Sequence, residues 1–309
     1  MTLSLICPTK DPAPWLKAIN ALAPEIDLRV WPDDGNKADV TFALVWAQPQ
    51  GIFSQYPNLQ VISSMGAGVD NLLQDRSIPP QATVVRMVDP RLVRQMGDYV
   101  LAAVLNHVRQ LSDYGQFQQQ RQWRPLPPRN LDQVTIGVMG MGQIGHAVAT
   151  RLSQLGCRVL GWSRREKNIA DVQVFAGQQQ QPNFLAASEI LVCLLPLTAE
   201  TENILNIETL SQLPQGGYLI NVARGHHLVE EDLLSLLDNN YLAGACLDVF
   251  RQEPLPQEHP FWTHPKITIT PHIASLTDPV SVAPQIVENY RRMESGESLL
   301  NQVDIRQGY

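Results

Sequence analysis

The chain has 309 residues, 44% of them hydrophobic and 17% charged, so it has apolar material for two ordinary cores and does not read as a disordered chain. A net charge of −7 and a pI of about 5.5 argue against a general electrostatic grip on nucleic acid or on an anionic membrane, while a local basic patch stays open. The longest apolar run, Ile190–Leu197, is far below the roughly 20 residues of a membrane helix, and the N-terminus lacks the basic start and apolar length of a signal peptide. A cytoplasmic protein with no nucleic-acid and no membrane partner is therefore expected.

In chain order, short apolar runs alternate with helical patterns. Leu3–Cys7 and Val40–Trp46 read as buried strands, followed by "LQVISSMGAGVDNL" and "TVVRMV". A long helix is predicted from Gly97 to about Trp123, with Val100, Val104, Val108 and Leu111 on one face. "RPLPPRN", residues 124–130, then breaks the helix. "VTIGVMG" reads as a strand entering a glycine turn. "HAVATRLSQLG" reads as a helix stopped by Gly156, and "RVLGW" as the next strand. "EILVCLLPL", "GYLINVA", "GACLDVF" and "KITITPH" supply further continuous apolar strands of the kind buried on both faces of a parallel sheet. A last helix is predicted from Asp278-Pro279, an N-cap followed by proline at the first helical position, with Val282, Ile286, Tyr290 and Met293 facing inward. The fold class is α/β. Cys7, Cys157, Cys193 and Cys246 are widely spaced without a CxxC pair, and read as buried free thiols rather than as disulfide or metal ligands. No metal site is expected.

Gly140, Gly142 and Gly145 spell GxGxxG between a predicted strand and a predicted helix, with a second strand about 20 residues on, the context that a dinucleotide loop requires. The first glycine allows the tight turn, the second lets the backbone approach a pyrophosphate, and the third lets helix pack on strand. Gln143 and Ile144 open the helix, whose free N–H groups would face the phosphates. A plain strand-to-helix turn is the alternative. The second strand ends in Trp162-Ser163-Arg164-Arg165. A carboxylate there would hold the ribose hydroxyls of NAD and repel the 2′-phosphate of NADP. Ser163 removes that repulsion, and two guanidinium forks suit a phosphate, so NADPH is expected to be preferred over NADH. A solvated basic turn is the competing reading.

Three downstream strings place polar groups just past buried strands, where open α/β sheets bind ligands: Arg224 in "INVARG", Asp248 and Glu253 in "LDVFRQEPLP", and His272 in "TPHIAS". Each alone has an ordinary structural explanation: a surface ion-pair partner, a loop acid, a core histidine. Three at successive strand ends behind a dinucleotide loop point to one site.

Together with "LLPLTAET" and "SSMGAGVDNL", these strings resemble the D-isomer-specific 2-hydroxyacid dehydrogenases over nearly the whole chain and in that family's order. "QWRPLP", "GWSRR" and the tail "QVDIRQGY" resemble its bacterial glyoxylate/hydroxypyruvate reductase branch. The resemblance implies NADPH-dependent reduction of small 2-oxo acids, glyoxylate to glycolate and hydroxypyruvate to D-glycerate. Arg224 would hold the substrate carboxylate and carbonyl oxygen. His272 would donate the proton, and Glu253 would orient its ring and favour its charged form, so reduction should weaken as pH rises through the histidine's titration. Asp248, Leu195, Pro196, Val222 and Ala223 would line the cofactor site. Backbone N–H groups of Ala67 and Gly68 would meet the substrate carboxylate, and Trp46 would wall the pocket unless it is only a core residue ending its strand.

The resemblance further implies two Rossmann-like domains with doubly wound parallel sheets. A discontinuous substrate domain, residues 1–97 plus 281–309, would hold an inserted dinucleotide-binding domain, residues 98–280, with the active site in the cleft between them. The helix from Gly97 would form the arm of a homodimer. Three departures from the family pattern stand out: Ser163 in place of the ribose-binding acid, Gly97-Asp98 where a glutamate is expected, and the Asp-Pro pair soon after His272. A related dehydrogenase with a larger substrate, phosphorylated or branched, is the second enzyme reading, and a phosphorylated one would call on Arg86, Arg91 and Arg94. A non-catalytic dinucleotide sensor would be favoured by a broken Arg/Glu/His set, and a methyltransferase would not need that set at all.

Overall fold

The computed structural model describes residues 1–305, and the chain divides into two compact units: Met1–Leu92 with the chain from Thr277 onward, and Val93–Leu276. The divisions fall a few residues before the expected 97/98 and 280/281.

The first unit is built on five strands: β1 (Thr2–Ile6), β2 (Asp27–Val30), β3 (Val40–Val45), β4 (Val61–Ser64) and β5 (Thr83–Val85). All pair in parallel, in the order β2-β1-β3-β4-β5. Every residue of β1, β3 and β4 is buried, which is why these strands read as unbroken apolar runs. β2 escaped the sequence reading. It is an edge strand with one neighbour, and its alternating Asp27-Leu28-Arg29-Val30 is exposed or half-buried. The helices Ala13–Leu22 and Pro279–Ser295 share one core with this sheet, through Trp15, Ala18 and Ile19 on the first and Val282, Ile286 and Tyr290 on the second. Asp278 caps the second helix by accepting the Val280 N–H at 3.0 Å, with Pro279 at the first helical position, as its sequence predicts.

The second unit carries β6 (Thr135–Met139), β7 (Arg158–Ser163), β8 (Gln173–Ala176), β9 (Ile190–Cys193), β10 (Gly217–Asn221), β11 (Leu242–Leu247) and β12 (Ile267–Ile269). The order is β12-β11-β10-β9-β6-β7-β8, parallel throughout. Alternate residues feed two separate cores: Ile190, Val192 and Ile220 pack into one, and Leu191, Cys193 and Leu219 into the other. The sheet is therefore covered on both faces, the doubly wound arrangement, and the strand order reverses between β6 and β9. The edge strand β8, short and at most half-buried, was the second strand that the sequence did not announce.

The single helix expected from Gly97 to Trp123 is two helices. One runs Pro90–Val108 and the next Leu111–Gln119, with Gln110 between them in a left-handed conformation at φ 56°. Val100, Val104 and Val108 are buried as the periodicity requires, but past the break Leu111 is 56% exposed. Hydrophobic spacing does not register one left-handed residue, which re-aims everything that follows. All four cysteines are free and buried. Among the described residues no helix is long and apolar enough to cross a membrane, and no cluster of His, Cys, Asp and Glu could hold a metal ion.

Candidate active site

β6 delivers the chain to Gly140 at φ 102°, where an added Cβ would lie 2.6 Å from the Leu194 carbonyl oxygen. An added Cβ at Gly145 would lie 1.8 Å from the Gly140 carbonyl oxygen, so packing alone demands the first and third glycines. Gly142 differs. An added Cβ there meets nothing within 4 Å, so this glycine faces open space, as a backbone that a ligand must approach would. Gly142 also caps the helix Gln143–Gln154, whose first N–H groups, those of Gln143 and Ile144 among them, have no acceptor within the helix. The loop sits at the reversal between β6 and β9.

Beside it, β7 ends at buried Ser163, whose hydroxyl donates to the Arg165 carbonyl at 2.6 Å and tightens the turn that exposes Arg164 and Arg165. Lys167, which the sequence reading passed over, donates through Nζ to the Met141 carbonyl at 2.5 Å. A basic turn is thus tied to the glycine loop. Its only sequence signal is a third base two residues after the arginine pair.

The remaining groups stand at the carboxyl ends of β9 to β12. Leu195 and Pro196 follow β9. Val222 and Ala223 are buried after β10 and lead to Arg224, whose Nη1 donates to the Ala223 carbonyl at 2.7 Å. Asn221 shapes this turn, donating to the Arg224 carbonyl at 3.0 Å and accepting the Ala223 N–H at 3.2 Å. His227, fully buried, has Nδ1 3.2 Å from the Arg224 carbonyl and Nε2 3.3 Å from that of Pro196. Gly225 allows the turn to seat on the end of β11, since an added Cβ would lie 1.9 Å from the Phe250 carbonyl carbon.

His272 adopts φ 55°, rare for a side chain of its size, and its N–H donates to the Asp248 carbonyl at 2.9 Å. Asp248 imposes that conformation. Its buried carboxylate accepts the Thr270 hydroxyl at 2.5 Å and the N–H groups of Ile273 at 2.9 Å and Ala274 at 2.8 Å. Tyr99 Oη meets the same Thr270 hydroxyl at 2.5 Å, and burial pushes its phenol well above the usual range.

Held in this way, the His272 ring places Nδ1 2.6 Å from Glu253 Oε2, while Glu253 Oε1 accepts the Phe250 N–H at 2.9 Å. Burial pushes the Glu253 carboxyl up. Hydrogen bonds from His272 and the Phe250 N–H, with the charges of His272 and Arg224, outweigh it and hold the group below the ordinary carboxylate range. A carboxylate on Nδ1 fixes the ring and leaves Nε2 as the atom presented to a reacting group. Tyr99, Asn221, His227 and Thr270 carry no sequence signal of their own, because their contacts are set by neighbouring strands.

In the first unit, Trp46 follows β3, and Ala67 and Gly68 follow β4. Ser64 Oγ accepts the Gly66 N–H at 3.1 Å and donates to the Gly68 carbonyl at 2.9 Å, which holds that turn. An added Cβ at Gly66 would lie 2.8 Å from Cζ3 of Trp46, so the half-buried indole stands against the turn.

A glycine loop at the reversal of a doubly wound sheet, with an arginine and a histidine–carboxylate pair at neighbouring strand ends, defines a dinucleotide-dependent oxidoreductase. The chain belongs to the D-isomer specific 2-hydroxyacid dehydrogenase family, whose NAD binding domain matches residues 101–274. It is 42% identical over 301 residues to glyoxylate/hydroxypyruvate reductase A of Serratia proteamaculans, with 96% of each chain covered, and 41% identical over 307 residues to that of Photorhabdus laumondii, with 98% of each covered. Among solved structures it resembles a D-isomer specific 2-hydroxyacid dehydrogenase from Xanthobacter autotrophicus in complex with NADPH and MES. The TM-score is 0.95 at 40% identity, covering 100% of this chain and 99% of that one. It also resembles the NADPH-dependent glyoxylate/hydroxypyruvate reductase of Sinorhizobium meliloti in complex with NADP and sulfate, with a TM-score of 0.94 at 33% identity over 100% and 99% of the two chains.

Proposed function

We propose that this protein is an NADPH-dependent reductase of small 2-oxo acids that converts glyoxylate to glycolate and hydroxypyruvate to D-glycerate. The observation that carries the reading is the 2.6 Å pairing of His272 with Glu253, on the same sheet edge as a glycine loop whose second glycine faces open space. The loop fits a pyrophosphate, and NADPH, when bound, supplies the hydride that reduces the carbonyl carbon. Gly140, Gly142, Gln143, Ile144 and Gly145 bind the pyrophosphate. Ser163, Arg164 and Arg165 take the 2′-phosphate, with Leu195, Pro196, Val222 and Ala223 as the apolar wall. Arg224 holds the substrate carboxylate and carbonyl oxygen through its planar fork. As the carbonyl carbon gains its hydride, the oxygen takes the proton of His272 Nε2 and becomes the hydroxyl. Glu253 keeps the imidazolium favourable and oriented, and Asp248 acts by holding the loop that carries His272. Ala67 and Gly68 offer backbone N–H groups to the carboxylate, and Trp46 walls the pocket.

In this reading residues 1–97 and 281–309 form the substrate domain and residues 98–280 the dinucleotide domain. The protein is a cytoplasmic homodimer. Exposed Leu111 and Tyr114 and fully exposed Trp123 support a subunit contact along that segment. Arg91 pairs with Asp278 at 2.5 Å, which engages one of the three arginines that a phosphorylated substrate would use and favours the smaller substrates. The test is initial rates on glyoxylate and hydroxypyruvate with NADPH and with NADH. A kcat/KM at least tenfold higher with NADPH is expected. Equal or better use of NADH would overturn the assignment of Ser163, Arg164 and Arg165, and no turnover of either acid would overturn the reductase reading.

A further inference from the structure

In the order β2-β1-β3-β4-β5 the chain turns one way after β1 and the other way after β3, so the first unit has its own reversal point between these strands. Open parallel sheets bind ligands at the carboxyl ends of the two strands flanking such a point. Two segments leave the sheet here. After β1 the chain turns at Cys7–Lys10, closed by the Lys10 N–H on the Cys7 carbonyl at 3.0 Å. After β3 it enters Trp46, whose N–H donates to the Ile6 carbonyl at 3.0 Å. Lys10 Nζ lies 3.7 Å from the centroid of the Trp46 ring.

Among the described residues no carboxylate pairs with the Lys10 ammonium and no acceptor takes its hydrogens. Burial, offset in part by the Cys7 thiol, lowers its pKa. A partly desolvated ammonium that keeps only an aromatic face has electrostatic demand left over, and its three donors can serve an anion. An edge of the same indole, at Cζ3, stands against Gly66 of the Gly66–Gly68 turn. Lys10 and that turn therefore flank one side chain at the mouth of one sheet.

We propose that Lys10, seated on Trp46 at the reversal point of the first unit's sheet, is a specificity residue that favours 2-oxo acids carrying a second carboxylate. This rests on the reductase reading above. With the first carboxylate held at Ala67 and Gly68, the rest of the acid faces the Trp46 wall. A second carboxylate there meets a fixed positive charge, whereas an apolar branch of the same shape meets an ammonium that it cannot satisfy.

The experiment compares kcat/KM for oxaloacetate with kcat/KM for 4-methyl-2-oxovalerate, a counterpart of nearly the same shape whose branch is uncharged. Wild type, Lys10→Met, Lys10→Arg and Lys10→Glu are measured with NADPH. The ratio should fall at least tenfold in Lys10→Met, fall further in Lys10→Glu and stay within threefold of wild type in Lys10→Arg. A ratio unchanged within twofold in Lys10→Met and Lys10→Glu, in a wild type that reduces glyoxylate, overturns the Lys10 assignment and leaves the reductase reading standing. Calorimetric binding of tartronate, a 2-hydroxy dicarboxylate, separates the two failures. If no 2-oxo acid is turned over, the reductase reading falls. Tartronate binding weakened tenfold by Lys10→Met would then still support the site, and equal binding would overturn both.

Discussion

Replacing Glu253 by glutamine tests the chemistry most directly. The carboxylate lies 2.6 Å from His272 Nδ1, and both side chains are a little over one third exposed. Opposite unit charges about 4 Å apart attract by about 4 kcal/mol at an effective dielectric constant of about 20. Solvent at a site this open screens part of that, and about 2 kcal/mol remains, the usual worth of a hydrogen bond to a charged group. A loss of about 2 kcal/mol of support for the imidazolium corresponds to about a thirtyfold fall in kcat for reduction, with a smaller change in the KM for NADPH. The pH profile carries a second signature. The Glu253 carboxyl is held below its ordinary range, so it is ionised at neutral pH, and its support is lost as pH falls through that lowered value. In Glu253→Gln there is no carboxylate to protonate, so the loss of that support at low pH should disappear from the profile. Stopped-flow single turnovers and steady-state rates between about pH 5 and 9 measure both effects. A variant within threefold of wild type in kcat, with an unmoved profile, would refute the acid role of the pair.

Arg164→Asp with Arg165→Ala should lower the NADPH-to-NADH ratio of kcat/KM by at least tenfold, the order expected when charge-assisted hydrogen bonds to a phosphate are removed; the ratio itself is the assay. Gly145→Ala places a Cβ 1.8 Å from the Gly140 carbonyl oxygen, so the helix must shift off the loop. NADPH affinity should drop by well over tenfold in fluorescence titration, with a lower melting temperature, whereas Gly142→Ala should cost binding without that loss of stability. Half-buried His107 stacks on Tyr218 at 4.0 Å, and desolvation, with the Arg129 charge adding to it, holds its pKa down at about 4. The unfolded chain takes up that proton first, so stability should be full above about pH 6.5 and fall by about 3 kcal/mol as pH drops toward 4. Urea unfolding of His107→Phe should show a flatter pH dependence.

The features legible in the residues were those that local chemistry forces. Gly140 and Gly145 stand where no Cβ fits, so the dinucleotide loop announces itself. β9 and β10 are buried on both faces and read as unbroken apolar runs. Asp278-Pro279 marks a helix start because the cap and the fixed φ act within a few residues. Arg224, Asp248, Glu253 and His272 could be located at strand ends by position alone. What the sequence did not carry was set by partners distant in the chain. β2 and β8 are edge strands of four residues, stabilised by one neighbour and at most half-buried, so neither shows an unbroken apolar run. The break at Gln110 is one backbone angle inside an otherwise helical pattern.

Pattern, glycine placement and residue type by themselves determined the parallel α/β architecture, the dinucleotide loop and the candidate acid, carboxylate and fork, because each depends on interactions within a strand, a turn or one helical face. Tertiary structure alone decided how those groups are aimed. Glu253 and His272 are 19 residues apart, and the Asp248 carboxylate holds N–H groups 25 and 26 residues away. Lys10 reaches Trp46 only because β1 and β3, separated by the edge strand in sequence, are neighbours in the sheet. Side chains so far apart in sequence meet only through the register of parallel strands, which the packing of the whole sheet sets and no local stretch encodes.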